Sequence, residues 1–231
     1  LGSGIHAPGL RLDLGDTLLA AHNSMRAHAK AVRALRAAST GARVGYVLAA
    51  QLARPASANA ADLEAARAAT FAVRDHSHTN NTWWTDPLLF GHYPEDGLAL
   101  FGRDMPRFPS SDWNDLKQPF DFLGLNIYRA ESYRAGLDGR PEPLPVPPGH
   151  PRSGVDWQPI TPDALYYGPR FFHERYGLPL WITENGLSTR DQVFLDGQVH
   201  DPQRIDYMHR NLLELRRAMR DGAQVDGYLA W

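Results

Sequence analysis

Leu178-Pro179-Leu180-Trp181-Ile182-Thr183-Glu184-Asn185-Gly186 is the stretch on which the reading of this chain turns. Its first six residues are too few for a helix and rich in strand formers, which predicts a buried β-strand. Asn185-Gly186 directly after it marks a turn. Between strand and turn stands a carboxylate, Glu184. Parallel α/β sheets and barrels build their active sites at the C-terminal ends of their strands, so Glu184 is a candidate catalytic group. The plain alternative is a glutamate that pairs with a neighbouring arginine.

Outward from that strand, four amphipathic helices can be read. The first opens near Asp16 as its N-cap and spaces Leu18, Ala21, Met25, Ala29, Val32 and Leu35 by threes and fours. The second, from about Asn59, aligns Leu63, Ala66, Thr70 and Val73. The third takes Thr161 as cap and Pro162 as first residue, then Leu165, Gly168, Phe172 and Tyr176, with a stop at Gly177. The fourth follows Asp201-Pro202 with Ile205, Met208, Leu212, Leu215 and Met219, ending at Asp221-Gly222. Each is followed by an apolar strand candidate, at 43–49, 122–128, 178–183 and 225–231. Near-continuous hydrophobicity suits parallel strands covered on both faces. Helix then strand, four times over, predicts an α/β sheet with right-handed crossovers. Two long segments break the rhythm, 75–121 and 129–159. The second carries Pro141, Pro143, Pro145, Pro147, Pro148 and Pro151. It is read as an ordered or semi-ordered loop over the C-terminal rim of the sheet, with a polyproline ligand for a partner domain as the alternative.

Composition narrows the function classes. In 231 residues, 24 basic side chains face 26 acidic ones, for a formal charge of −2 and no basic block. Nucleic acid and membrane surfaces are therefore poor partners. With no cysteine, a disulfide framework, a thiolate metal site and a thiol nucleophile are all excluded. No apolar run is long enough to span a bilayer and no signal peptide is visible, so a soluble cytoplasmic protein is expected. Leu1 is not an initiator methionine, the chain opens in a loop over 1–9, and it stops at Trp231 with no helix after its last strand. A four-strand parallel piece has open edges and an uncovered inner face, which predicts part of a fold and self-association through those edges.

Seven stretches, taken together and in order, resemble the C-terminal half of a glycoside hydrolase family 1 enzyme, the β-glucosidase type. They are Gly4-Ile5-His6-Ala7-Pro8-Gly9; His22-Asn23 with Ala27-His28-Ala29-Lys30-Ala31-Val32; Trp84-Thr85-Asp86-Pro87 with Gly91-His92-Tyr93-Pro94; Asp121-Phe122-Leu123-Gly124-Leu125-Asn126-Ile127-Tyr128; Ile182-Thr183-Glu184-Asn185-Gly186; Asp201-Pro202-Gln203-Arg204-Ile205; and Asp226-Gly227-Tyr228-Leu229-Ala230-Trp231. The resemblance implies a partial (β/α)8 barrel, residues 1–231 forming about its last four strands with their helices and no separate second domain. It implies a retaining β-glycosidase acting on terminal β-linked sugars, with a small-molecule or oligosaccharide β-glycoside as substrate and no cofactor. Glu184 matches the nucleophile and Tyr128 the tyrosine that hydrogen-bonds it. Asn126 matches a polar neighbour of the same site, Trp231 the aromatic platform under the sugar, and Trp157 a tryptophan on the aglycone side. The family's acid/base glutamate sits in a Thr-x-Asn-Glu-Pro motif upstream of His-Ala-Pro-Gly, and no such motif occurs here. The expectation is a fragment that hydrolyses natural β-glucosides negligibly by itself.

Plainer readings stand beside these. The plain reading of Tyr128 is a half-buried strand aromatic with its hydroxyl in water, and that of Trp231 is core packing. His22 and His28 fall on or beside the apolar face of the first helix, where a hydrogen-bonded core histidine is expected; His6 has no better claim. His76-x-His78 lacks a third ligand at sound spacing, so no metal is expected. Against the glycosidase reading stands a non-catalytic half-barrel that binds sugar or a partner chain which completes it.

Overall fold

The computed structural model describes residues 2–39 and 41–231. Leu1, at the head of the expected opening loop, lies outside the described residues. In chain order the elements are α1 (Leu14–Ala38), β1 (Gly45–Ala49), β2 (Leu52–Pro55), α2 (Ala60–Phe71), α3 (Asn81–Leu89), α4 (Glu95–Phe101), a 3-10 turn (Gly102–Asp104), α5 (Asp112–Leu116), β3 (Phe122–Asn126), β4 (Ala130–Ala135), β5 (Pro141–Leu144), α6 (Ala164–Tyr176), β6 (Leu180–Asn185), α7 (Pro202–Arg220) and β7 (Val225–Ala230). They form two compact units, Leu1–Gly45 with Phe71–Asp121, and Tyr46–Thr70 with Phe122–Trp231.

The first unit is helical. Asp13, rather than Asp16, caps α1: its Oδ1 accepts from Asp16 N at 2.8 Å, and Asp16 sits in the first turn, where the helix dipole favours a negative charge. The buried stripe runs Leu18, His22, Met25, Ala29 and Val32. Its next step is Arg36, not the expected Leu35, which is exposed. Arg36 donates to Ala42 O at 2.7 Å and to Asp121 Oδ2 at 2.6 Å, and Val44 N donates to the same carboxylate oxygen. The segment 75–121, read as an interruption, holds α3, α4 and α5. Its core is aromatic: Trp83 stacks on Tyr93 at 4.1 Å and meets Phe101 edge-on at 4.6 Å.

The second unit carries two sheets. In the larger, β1-β3-β6-β7, β6 pairs in parallel with both β3 and β7. The sheet is open, with β1 and β7 at its edges, so this is a partial barrel that does not close. The two faces are unequal. Leu180 and Ile182 of β6 are fully buried, whereas Trp181 and Thr183 between them are only partly so. Glycines flank this second face because its side chains leave no room. A Cβ on Gly227 would lie 2.4 Å from the Trp181 ring, and one on Gly124 2.9 Å from Thr183 Cγ2.

In the smaller sheet, β2-β4-β5, the strands β4 and β5 lie in the segment 129–159 read as a loop. Here β2 runs parallel to β4, and β4 turns back antiparallel into β5. Half of the proline-rich segment is thus a hairpin. Pro141 and Pro143 fall on its outer strand, where a missing N–H disrupts no ladder.

Helix α6 begins at Ala164 after the N-cap Asp163, while Thr161, the expected cap, accepts from Ala130 N at 2.8 Å instead. Gly177 ends it in the left-handed conformation, φ 67°, its N–H donating to His173 O. In α7 the buried face is Tyr207, Asn211, Leu215 and Ala218. The expected stripe is largely outside, with Ile205 64% and Met219 49% exposed. Both stripes step by threes and fours. The polar one can face inward because its groups are satisfied, Asn211 Nδ2 donating to Tyr207 O at 2.8 Å.

Candidate active site

All five residues singled out from the sequence lie in the second unit, and the geometry starts from an irregularity. Leu125 stands opposite Ile182, yet the next residue, Asn126, stands opposite Glu184, so Thr183 is an extra residue in β6. Such a bulge at a sheet rim re-aims the side chains after it. Asn126 and Tyr128, two residues apart, share one side of β3 and its extension. Thr183 Oγ1 donates to Asn126 Oδ1 at 2.6 Å, and the Tyr128 hydroxyl donates to Glu184 Oε2. Consecutive residues of β6 thereby serve the same side of β3, which strict alternation forbids. Ile127 N donates to Glu184 O at 2.8 Å and fixes the two strand ends together.

Burial of the Tyr128 phenol, then its hydrogen bond to the Glu184 carboxylate and that group's charge, holds it well above the ordinary tyrosine value. The phenol is therefore the fixed donor and the carboxylate the acceptor. The plain readings of both residues give way to this bond: Glu184 has a phenol for partner, and the Tyr128 hydroxyl is not left to water.

Tyr128 also lines an open cleft of about 430 Å³ with Val155, Trp157, Gln158, Gly186, Leu187, Ser188, Arg204 and Trp231. Trp157 meets the Tyr128 ring edge-on, centroids 5.7 Å apart at 89°. Trp231 stands on the same cleft and is 76% exposed. The structure thus gathers Tyr128, Trp157 and Trp231 around one cleft, ties Glu184 to it through Tyr128, and leaves Asn126 engaged with Thr183 outside the lining. Arg204, the one cation in the lining among the described residues, is fully occupied. Its Nη1 holds both oxygens of Asp201 at 2.7 and 2.8 Å, Nη2 meets Asp191 at 2.8 Å, and Nε donates to Leu187 O at 3.1 Å. It braces the loop after β6.

Gly186 has a different role from the one read in the sequence. It is not among the residues with positive φ. A Cβ there would instead lie 1.9 Å from Trp231 O, so glycine is required by the approach of another backbone. Four residues behind the pair escaped the sequence reading. Asn185 Nδ2 donates to Ile127 O at 2.8 Å and to the Tyr207 hydroxyl at 3.0 Å, Tyr228 donates to Asn185 Oδ1 at 2.9 Å, and Gln158 Nε2 donates to Gly186 O at 2.8 Å. The spacing of Tyr207 with Asn211 and Leu215 was a signal, masked by the more apolar stripe beside it.

Among the histidines, His22 is structural. His22 is buried, Nδ1 3.0 Å from the Tyr93 hydroxyl and Nε2 3.2 Å from Asp112 Oδ2, and it stacks on Phe108. His76 lies 3.5 Å from Asp104. Among the described residues no three His, Cys, Asp or Glu side chains gather to hold a metal, and no helix is long and apolar enough to cross a membrane.

A carboxylate with one fixed donor, beside an aromatic-walled cleft, can attack an electrophilic carbon or stabilise a positive charge forming there. Among the described residues no carboxyl side chain lines the cleft itself, and Glu184 reaches it through Tyr128. The sequence matches the family model "Glycosyl hydrolase family 1" over residues 1–231. Beta-glucosidase A of Thermotoga maritima is 31% identical over 229 residues, covering 99% of this chain and 50% of its own length. The beta-glucosidase of an Agrobacterium species is 35% identical over 235 residues, covering 99% and 49%. The solved beta-glucosidase from Thermotoga maritima in complex with castanospermine superposes with a TM-score of 0.81 at 30% identity, over 100% of this chain and 50% of that one. The chain spans about half the length of these relatives. It belongs to glycosyl hydrolase family 1.

Proposed function

We propose that the chain supplies the nucleophile side of a retaining β-glycosidase site. Glu184 Oε attacks the anomeric carbon, the glycosidic C–O bond breaks, and the aglycone leaves. A glycosyl ester on Glu184 remains, which water hydrolyses with overall retention. Tyr128 orients the attacking carboxylate by its hydrogen bond, Trp231 and Trp157 offer apolar faces to the sugar and the aglycone, and Asn126 steadies the rim through Thr183. The observation that carries this reading is the Tyr128–Glu184 bond, set by a bulge at the strand ends and opening on the tryptophan-lined cleft. The names of the relatives, beta-glucosidases, make a β-glucoside the substrate of choice.

A retaining mechanism needs a second carboxyl about 5–5.5 Å from the first, to protonate the leaving oxygen and then activate water. We assign that group to residues outside this sequence, in the half of a family-length protein that it does not match. General acid–base help is worth roughly 10²–10⁴ in rate, so the 231-residue chain alone turns over natural β-glucosides negligibly. The test is intact mass spectrometry with peptide mapping after incubation with a 2-deoxy-2-fluoro-β-glucoside bearing an activated leaving group, which needs little acid assistance. One sugar adduct on Glu184, in this chain or in a version extended at both ends to family length, is expected. No adduct on either would overturn the assignment.

A further inference from the structure

We infer that Asn185, locked by Tyr207, is the positioning residue that holds the Glu184–Tyr128 pair and the walls of its cleft in register. Its purpose rests on the nucleophile reading above; its geometry does not.

Asn185 is 1% exposed and every group of its side chain is used. The two Nδ2 hydrogens go to Ile127 O at 2.8 Å and the Tyr207 hydroxyl at 3.0 Å, while Oδ1 accepts from the Tyr228 hydroxyl at 2.9 Å. The amide cannot sit the other way round, because Oδ1 would then face the carbonyl of Ile127. Its backbone oxygen accepts from Trp231 N at 2.9 Å. Tyr207, equally buried on α7, passes its own proton toward Tyr128 O at 3.4 Å and receives a long contact from Gln158 Nε2 at 3.5 Å.

These bonds reach the backbone on which four of the five site residues are carried. Asn185 follows Glu184 directly. Ile127 O and Tyr128 O flank the Tyr128 side chain. Gln158 follows Trp157 and is tied to Gly186 O. Trp231 is held by its own N–H. Four side chains, the amides of Asn185 and Gln158 and the phenols of Tyr207 and Tyr228, thus connect the ends of β3, β6 and β7 with the loop that carries Trp157. A buried network in which every member is satisfied fixes one geometry, and one left half satisfied is worse than none. Nucleophiles lose rate steeply when misplaced by an ångström or less, which gives such a lock its value. Burial pushes the Tyr207 phenol up to about 12, so the lock stays neutral near pH 7.

The test uses the whole chain grown with 3-fluorotyrosine and read by ¹⁹F NMR at neutral pH. Tyr128→Phe identifies the Tyr128 resonance. Glu184→Gln gives the displacement expected when the carboxylate partner is lost. Asn185→Ala and Tyr207→Phe are expected to move the Tyr128 resonance by at least half that displacement. Tyr166→Phe deletes a comparable bond, to Asp221 Oδ2 at 2.6 Å, and is expected to leave it in place. A Tyr128 resonance unmoved by Tyr207→Phe would overturn the inference, and this holds even if Asn185→Ala does not fold. A resonance that moves while Glu184 takes no sugar label at family length supports the positioning and removes the nucleophile reading.

Discussion

Replacing Gly186 by alanine isolates the tightest backbone contact of the site. The new Cβ would lie 1.9 Å from Trp231 O and 2.9 Å from Trp231 C, against the 3.4 Å at which ordinary contact begins, so about 1.5 Å of separation must be found. Neither side can give it freely. Gly186 follows Asn185, which is fixed by its network, and Trp231 N is bonded to Asn185 O at 2.9 Å, a bond that a shift of this size breaks. Losing that bond costs about 1 kcal/mol and forcing the extra carbon in costs about 1–3 kcal/mol. The sum, about 2–4 kcal/mol, corresponds to roughly 5–15 °C of melting temperature for a chain of this size. Thermal unfolding followed by tryptophan fluorescence reads it against Gly41→Ala, whose Cβ would meet nothing within 4 Å. Because the strain is relieved by moving Trp231, the variant also loses one wall of the cleft, and Glu184 labelling slows with the loss of stability. A Gly186→Ala chain that melts with Gly41→Ala would refute the close-approach argument and return the residue to the role of a turn glycine.

Other outcomes follow from the same contacts. His22, His28 and His78 are each held below the ordinary histidine value of 6.5, chiefly by burial. The unfolded chain therefore binds more protons than the folded one as pH falls below 6.5, and stability present above that value is lost toward acid. A urea midpoint of unfolding at pH 5.5 that equals or exceeds the one at pH 7.5 would contradict this. The sheet edges β1 and β7 and the exposed Ile205, Leu212 and Met219 of α7 predict concentration-dependent association of the chain by itself. Sedimentation velocity over a range of concentrations should show it, and Ile205→Lys with Met219→Lys should shift it toward monomer. A monomer at every concentration would count against exposed apolar area as a driver.

Much of the fold is legible in the sequence because it is written in short-range patterns. A continuous apolar run such as Leu180–Ile182 needs a sheet that buries it, and the Gly177 stop needs only a left-handed residue after a helix. Glu184 could be located at a strand end from the same run. The stretches that resisted were those where several local readings are equally good. The stripe of α7 through Ile205 and Met219 is more apolar than the stripe through Tyr207 and Asn211, and only the partners found across the unit make the polar stripe the buried one. Pro141 and Pro143 argue against a strand until an edge position makes their missing N–H harmless.

What sequence alone determined is therefore the kind and order of the four helix–strand pairs and the carboxylate at the end of β6, since each depends on residues within a few positions of one another. The tertiary structure decided the rest. Whether Thr183 and Glu184 face the same side depends on a one-residue slip against β3. Whether Gly186 is a turn or a close approach depends on Trp231, 45 positions away. Whether Asn185 is a loop asparagine or a buried lock depends on hydroxyls from α7 and β7. Those facts arise from long-range contacts, where register and hydrogen-bond satisfaction, not local propensity, set the energy.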